Sequence, residues 1–334
     1  MPRPASILIA LTSQEIAEFL PAPLLGELRG LTDRFEQVDT GKLDAAEFHR
    51  ALAAANPEVL VTCWKTPPLP AALPPALRYV CHLSGSIKVY VTRAHIESGL
   101  LVTNWGGSIS RVVAEWGLFH ILASLRHGTY WALQMHQQAG WKNGDTATAS
   151  LFGRRVGLHG FGPVARELIT LLRPFGCVIS AFAPDVDAAA EARHQVRRAA
   201  SLEALFADND VIVELAPLIP ETRGIVTEKL LRLIRPGGVF VNVGRGAVVD
   251  EAALLRVARE GRIGVGLDVF SVEPLPADSG FRGLPNVTLT PHLAGPTTDR
   301  RRDAGEFAVQ NIRAYAEGRP LQAVFTPKVY DTTT

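Results

Sequence analysis

The chain has 334 residues, 47% of them hydrophobic and 20% charged, the ordinary make-up of a globular protein. That excludes a disordered chain, a collagen-like repeat and a small disulfide scaffold, and at roughly 100–200 residues per domain it predicts two domains. Lys and Arg total 34 against 33 Asp and Glu, so no global field draws the chain to nucleic acid or to anionic lipid.

Taken in chain order, strands and helices alternate. The N-terminus enters a short apolar run, Ile7–Leu11, too brief for a signal segment, so it reads as a first strand within Ser6–Leu11. Asp44–Ala55 has helical spacing through Phe48, Leu52 and Ala55. Val59–Thr62 and Leu77–Val80 read as strands. These unbroken apolar runs are the mark of parallel strands buried on both faces. Ser110–Arg126 is a long, mostly apolar helix, followed by a polar, aperiodic stretch over His136–Ser150. A second series opens with strands at Arg155–His159, Val178–Ala181, Val211–Glu214, Val239–Asn242, Gly264–Asp268 and Val287–Leu289. Helices lie between them, with caps expected at Ser201, Thr227 and Asp250. Thr298–Glu317 reads as a last helix and Pro320–Thr334 as a tail. Such alternation predicts an α/β protein with two doubly wound parallel sheets. Cys63, Cys81 and Cys177 lie far apart with no CxxC spacing, which points to reduced thiols, no metal site and a cytoplasmic location. No apolar run reaches ~18 residues, so no membrane span is expected.

Gly160-Phe161-Gly162-Pro163-Val164-Ala165 stands between a predicted strand and a predicted helix, Val164–Phe175. Gly160 permits a tight turn, Gly162 admits a pyrophosphate to the backbone, and Ala165 allows close helix–strand packing. The helix N-terminus offers its amides to the phosphates. The acid that grips the ribose of NAD is expected about 20 residues on, where Ala183 stands instead. No Arg or Lys lies from Phe182 to Ala190, so the usual NADP marker is missing too. Asp185 either turns back to the ribose or is a solvated turn residue.

Three more strand ends carry chemistry: Arg245 in Asn242-Val243-Gly244-Arg245-Gly246, Asp268 and Glu273 in Leu267-Asp268-Val269-Phe270-Ser271-Val272-Glu273-Pro274, and His292 in Thr290-Pro291-His292-Leu293-Ala294-Gly295. In open α/β sheets ligands bind beyond the carboxyl ends of strands. Taken singly, each residue has an ordinary structural reading; together, in this order and spacing, the four motifs resemble the D-isomer-specific 2-hydroxyacid dehydrogenase family, from about Arg155 to Gly295. The resemblance implies a catalytic set: Arg245 to hold a carboxylate with its planar fork, His292 as acid/base, and Glu273 to orient it. It implies Rossmann-type cofactor contacts at Gly160, Phe161, Gly162, Pro163, Val164, Ala183, Pro217, Thr222, Val243, Gly244, Asp268 and Gly295, with NAD as the cofactor and NADP left open. A homodimer through the Ser110–Arg126 helix and the arm after it is implied as well.

The N-terminal part departs from the family pattern. Leu83-Ser84-Gly85-Ser86 keeps backbone donors for a substrate, while Lys88 replaces the usual Asp and either alters that loop or faces solvent. Val113-Ala114-Glu115-Trp116 has Trp where relatives have His, and packing is the expectation for Trp116. Trp64 and Lys65 are candidate specificity residues. Arg300-Arg301-Arg302, flanked by Asp299 and Asp303, reads as a salt-bridged exposed turn. The expected layout is a flavodoxin-like substrate domain over 1–107 plus 297–334, carrying Lys65, Ser84, Gly85 and Ser86, and a cofactor domain over 108–296, with a cleft between them. The expected reaction is hydride transfer between nicotinamide and a 2-oxo/2-hydroxy acid. The rival is a non-catalytic NAD(H)-binding corepressor or sensor on the same fold. The partners expected are a small acid and a second copy, without nucleic acid or membrane.

Overall fold

The computed structural model describes residues 4–144 and 147–333. It forms two compact units, one running up to Ile109 and resuming at Pro296, the other Ser110–Gly295.

The first unit holds a five-stranded sheet in the order β2-β1-β3-β4-β5. Its strands are β1 (Ile7–Leu11), β2 (Phe35–Asp39), β3 (Val59–Thr62), β4 (Tyr79–His82) and β5 (Leu101–Thr103). All pairings are parallel. β1, β3 and β4 are buried along their whole length, as continuous apolar runs require. β2 is an edge strand, half-exposed, and its mixed sequence hides it from a pattern search. The Ala45–Ala55 helix starts at a capping box between Asp44 and Glu47 and buries Phe48, Leu52 and Ala55. The strand expected at Leu77–Val80 lies two residues later, because Leu77 closes a turn onto the Pro74 carbonyl. The expected tail is packed structure: the Phe325 amide bonds the Val102 carbonyl, Phe325 is buried, and Pro327–Thr332 is a helix capped by Thr326. Arg300 pairs with Asp299 and Asp303, and Arg302 with Glu306, whereas Arg301 turns inward to Glu18 and lies over the Trp64 ring.

The second unit has a seven-stranded parallel sheet in the order β12-β11-β10-β9-β6-β7-β8. Its strands are β6 (Arg155–His159), β7 (Val178–Phe182), β8 (Arg197–Arg198), β9 (Val211–Glu214), β10 (Val239–Asn242), β11 (Gly264–Leu267) and β12 (Val287–Leu289). Counting from β6, the chain winds outward to β8, returns beside β6 with β9, and winds the other way. The reversal between β6 and β9 is the switch point at which doubly wound sheets bind ligands. The Pro163–Leu172 helix buries Leu168, Ile169 and Leu172 against this sheet, each such side chain contributing about 1.5–3 kcal/mol. Ser110–Arg126 buries Ala114, Ile121 and Leu125, and Gly117 sits where a Cβ would touch Val243 and Leu168. Ser201 and Asp250 cap their helices as expected, while Thr227 precedes its helix without a side-chain cap bond. Gly128–Gln137 is a helix that the polar composition concealed; none of its residues is fully buried, so it has no apolar stripe to read. Among the described residues no helix is long and apolar enough to cross a membrane.

Candidate active site

β6 ends at His159, and the chain turns at once through Gly160 into the Pro163–Leu172 helix. Gly160 has φ +100°, and a Cβ there would lie 2.7 Å from the Leu215 carbonyl carbon. Only glycine fits that position. Beside Gly162, at the helix N-cap, a Cβ would meet no atom within 4 Å. Pro163 occupies the first helical position, where no amide is needed. Phe161 is buried, with the His194 ring edge-on at 5.4 Å and the Arg166 guanidinium 5.0 Å from its centroid. The turn, its open side and the helix N-terminus with Val164 make a cradle that fits a dinucleotide pyrophosphate.

Ala183 follows β7 directly and is half-buried. Asp185 is exposed and faces Arg166 at 3.3 Å, so it takes the solvated-turn reading with an ionic partner. In the loop after β9, the Thr222 hydroxyl donates to the Pro217 carbonyl at 2.5 Å and accepts from the Ile219 amide at 3.0 Å.

A pair that sequence reasoning missed lies beneath this cradle. His159 Nδ1 and Glu214 Oε2 are 2.6 Å apart, joining the ends of neighbouring strands, with His159 4% and Glu214 0% exposed. Burial opposes charge on the His159 ring, but the adjacent Glu214 carboxylate prevails and its pKa is raised. The other Glu214 oxygen accepts from the Ala216 amide at 2.8 Å. The available signal was the two polar residues closing otherwise apolar strands.

Arg245 follows β10. The buried Asn242 side chain ties its loop, accepting from the Gly244 amide at 3.0 Å and donating to the Arg245 carbonyl at 3.1 Å. Val243 is buried and Gly244 half-buried at this strand end. A Cβ on Gly246 would fall 2.0 Å from the Phe270 carbonyl carbon, so glycine lets this loop press against the one bearing Glu273. Burial lowers the Arg245 pKa, and the Glu273 charge opposes that shift. Glu273 accepts from the Phe270 amide with Oε1 at 2.9 Å and meets His292 Nδ1 with Oε2 at 2.7 Å. His292 is exposed and holds a left-handed φ of 53°, an uncommon state for a residue with a Cβ. Gly295 closes the loop and is half-buried. An apolar pocket lined by Phe270, Leu275 and Leu289 adjoins the His292–Glu273 pair.

Asp268, expected to face a nicotinamide, is fully buried. Its Oδ1 accepts from Thr290 Oγ1 at 2.6 Å, the Leu293 amide at 2.8 Å and Trp116 Nε1 at 3.0 Å, and its Oδ2 accepts from the Ala294 amide at 2.8 Å. The carboxylate ties together the loop that carries His292.

The remaining candidates belong to the first unit. Ser84 is buried and bonded to His82 Nε2 at 2.6 Å, and burial lowers the His82 pKa to about 3, keeping the ring neutral. A Cβ on Gly85 would press to 2.9 Å of the Trp105 ring, and Ser86 is half-buried. Lys65 is exposed and its amide donates to Glu15. Trp64 packs edge-on against Phe19 and Trp105 at 5.2 and 6.3 Å. Lys88 turns to the surface over the Tyr330 ring. Among the described residues there is no cluster of three or more His, Cys, Asp or Glu that could hold a metal.

Comparison with known proteins shows the family. Residues 118–294 match the family profile "D-isomer specific 2-hydroxyacid dehydrogenase, NAD binding domain". Hydroxyphenylpyruvate reductase of Plectranthus scutellarioides is 34% identical over 227 residues, 67% of this chain and 71% of that one. Glyoxylate reductase of Aeropyrum pernix is 30% identical over 256 residues, 73% and 75% of the two chains. D-mandelate dehydrogenase of Rhodotorula graminis, at 20% identity, shares the fold, with a TM-score of 0.84 over 97% of this chain and 98% of that one. The chain belongs to the D-isomer-specific 2-hydroxyacid dehydrogenase family and is an NAD(P)-dependent oxidoreductase.

Proposed function

We propose that the protein reduces a small 2-oxo acid to its 2-hydroxy acid, with Arg245, Glu273 and His292 at the reacting centre. The observation that carries this reading is the 2.7 Å contact between His292 Nδ1 and Glu273 Oε2 on an exposed loop. With Nδ1 donating to the carboxylate, the imidazole is held in one orientation and its Nε2 is left for a substrate oxygen. A reduced nicotinamide held at this site would supply the hydride. His292 delivers its proton to the carbonyl oxygen and withdraws it in the reverse direction. Arg245 spends one Nη1 donor on the Gly244 carbonyl at 2.8 Å, and the rest of its fork suits a carboxylate held bidentately.

The cofactor lies, in this reading, along Gly160–Val164, Ala183, Pro217, Thr222, Val243, Gly244 and Gly295. The Ser110–Gly295 unit is then the cofactor domain, and the other unit supplies substrate contacts from Lys65 and Ser84–Ser86. Exposed Leu133 and Met135, on a helix with no buried residue of its own, support pairing with a second copy. Three free cysteines, two of them buried, fit a reducing cytoplasmic setting.

The test is NADH and NADPH oxidation by purified protein against glyoxylate, hydroxypyruvate, pyruvate and phenylpyruvate. Turnover with one or more is the expected result, and the better cofactor reports what Ala183 selects. Measurable cofactor binding with silence across the panel would overturn the catalytic reading and leave the corepressor-like one. Light scattering checks the dimer.

A further inference from the structure

We propose that Trp116 is a positioning residue of the reaction: through Asp268 its indole N–H fixes the loop that presents His292. The proposal rests on the reading of His292 as the acid/base group.

Trp116 and His120 stand four residues apart on the Ser110–Arg126 helix, hence on one face. Trp116 reaches Asp268 and Thr290, and His120 reaches Thr290. Trp116 Nε1 donates to Asp268 Oδ1 at 3.0 Å and lies 3.3 Å from Thr290 Oγ1. His120 Nε2 is 2.8 Å from Thr290 Oγ1, which is itself 2.6 Å from Asp268 Oδ1. The Thr290 hydroxyl has one proton. Thr290 Oγ1 gives that proton to Asp268 Oδ1, so His120 Nε2 is the donor and the relay runs from His120 through Thr290 to Asp268. Burial lowers the His120 pKa to about 4, which agrees with a neutral ring protonated only on Nε2. Its Nδ1 is then a bare acceptor, and it has no partner.

At its far end this network grips the loop. The His292 amide donates to the Asp268 carbonyl at 2.8 Å, and the next two amides, of Leu293 and Ala294, donate to its carboxylate at 2.8 Å each. Asp268 therefore holds three successive amides, the first belonging to a residue in the left-handed region. Such a conformation persists only where its surroundings over-determine it. The two donors from the helix fix the carboxylate that does so. The Trp116 ring also stacks on Phe119 at 4.7 Å; packing alone was expected of it, but packing does not use the N–H.

Trp116→Phe keeps an aromatic ring, a smaller one, and removes the donor, and Trp116→His, smaller still but with a donor, separates the two changes. Loss of a hydrogen bond to a charged group predicts a fall in kcat of about tenfold to a hundredfold. KM for hydroxypyruvate or phenylpyruvate and the affinity for NADH should stay within about twofold, since no contact to either is removed. Imidazole Nε2 lies as many bonds from Cβ as indole Nε1, so Trp116→His should recover most of the loss. Amide exchange at Leu293 and Ala294, measured without substrate, should quicken in the Phe variant and not in the His variant. Thr290→Val, which cuts the second limb, should show the same split and serves if Trp116→Phe does not fold. Parent-like kcat and exchange in Trp116→Phe, no recovery in Trp116→His, or a loss confined to KM would overturn the proposal. Retained turnover in His292→Ala would instead overturn the acid/base reading beneath it, while the exchange measurement still decides whether Trp116 holds the loop.

Discussion

The His159–Glu214 and His292–Glu273 pairs share one contact, imidazole Nδ1 to a carboxylate Oε2, at 2.6 and 2.7 Å. Both stand at the carboxyl edge of the same sheet. The first joins two adjacent central strands and is sealed, its side chains 5% and 0% exposed; the second joins two loops, with side chains 48% and 36% exposed. A sealed pair has no route for its proton to a substrate, and its energy goes into holding its surroundings. Glu214 also binds the Ala216 amide, and the Leu215–Ala216 backbone is the wall that Gly160 presses against. The buried pair shapes the floor of the phosphate turn, while the exposed one is the pair to which the proposed function gives the proton. Exposure, not residue type, separates the two pairs.

Removing each histidine's partner role breaks the comparison most sharply. His292→Ala is expected to lower kcat by about 100- to 10,000-fold, the range for loss of a general acid or base, with NADH affinity and thermal midpoint near those of the parent. Stopped-flow turnover and fluorescence titration check it. Glu214→Ala is expected to do the reverse. Breaking a buried pair costs about 3–5 kcal/mol, and the low end applies because His159 can release its proton. Denaturant unfolding reads that loss, and kcat of the folded fraction at saturating NADH should stay close to the parent's, with any further loss confined to NADH affinity.

Much of this was legible in the sequence for a physical reason. Parallel strands are buried on both faces, so β1, β3, β9 and β10 announce themselves as apolar runs. The Gly160 turn is legible because its backbone excludes every other residue. Arg245, Glu273 and His292 stand in local motifs, each read from its own neighbours along the chain. What stayed hidden depends on residues distant in sequence. Trp116 meets Asp268 across 152 positions, and His159 meets Glu214 across 55. Nothing near Trp116 tells that its N–H has an anion to bind. The Gly128–Gln137 helix and the β2 edge strand were missed for the opposite reason, since neither buries a full apolar face.

Glu273→Gln sharpens the comparison at the exposed pair. The amide can still accept from His292 through its oxygen, but the hydrogen bond no longer ends on a carboxylate. A fall in kcat of roughly ten- to a hundredfold is expected, on the scale of one hydrogen bond to a charged group. Stability should change by less than about 1 kcal/mol, as for exposed ion pairs generally. A loss of stability as large as that of Glu214→Ala would erase the distinction between the two pairs.

The smallest effect is the pH dependence of stability. The pKa of His159 is raised in the folded protein from its ordinary value of 6.5. Its ionic contribution is therefore complete below 6.5 and fades as pH climbs through the folded-state pKa. His82 and His120 are lowered to about 3 and about 4. They are neutral when folded and protonated when unfolded, so each subtracts stability as pH falls below 6.5 toward those values. The three histidines together place a stability maximum near 6.5, with His159 governing the alkaline side. Denaturant midpoints between pH 6.5 and about 8, below the range where cysteines ionise, should decline in the parent. In His159→Asn, whose Nδ2 lies as many bonds from Cβ as the Nδ1 that meets Glu214 but which has no proton to lose, that decline should flatten. An unchanged slope would mean that the ring beneath the phosphate turn is already neutral at pH 6.5, and that Glu214 holds it by hydrogen bonding alone.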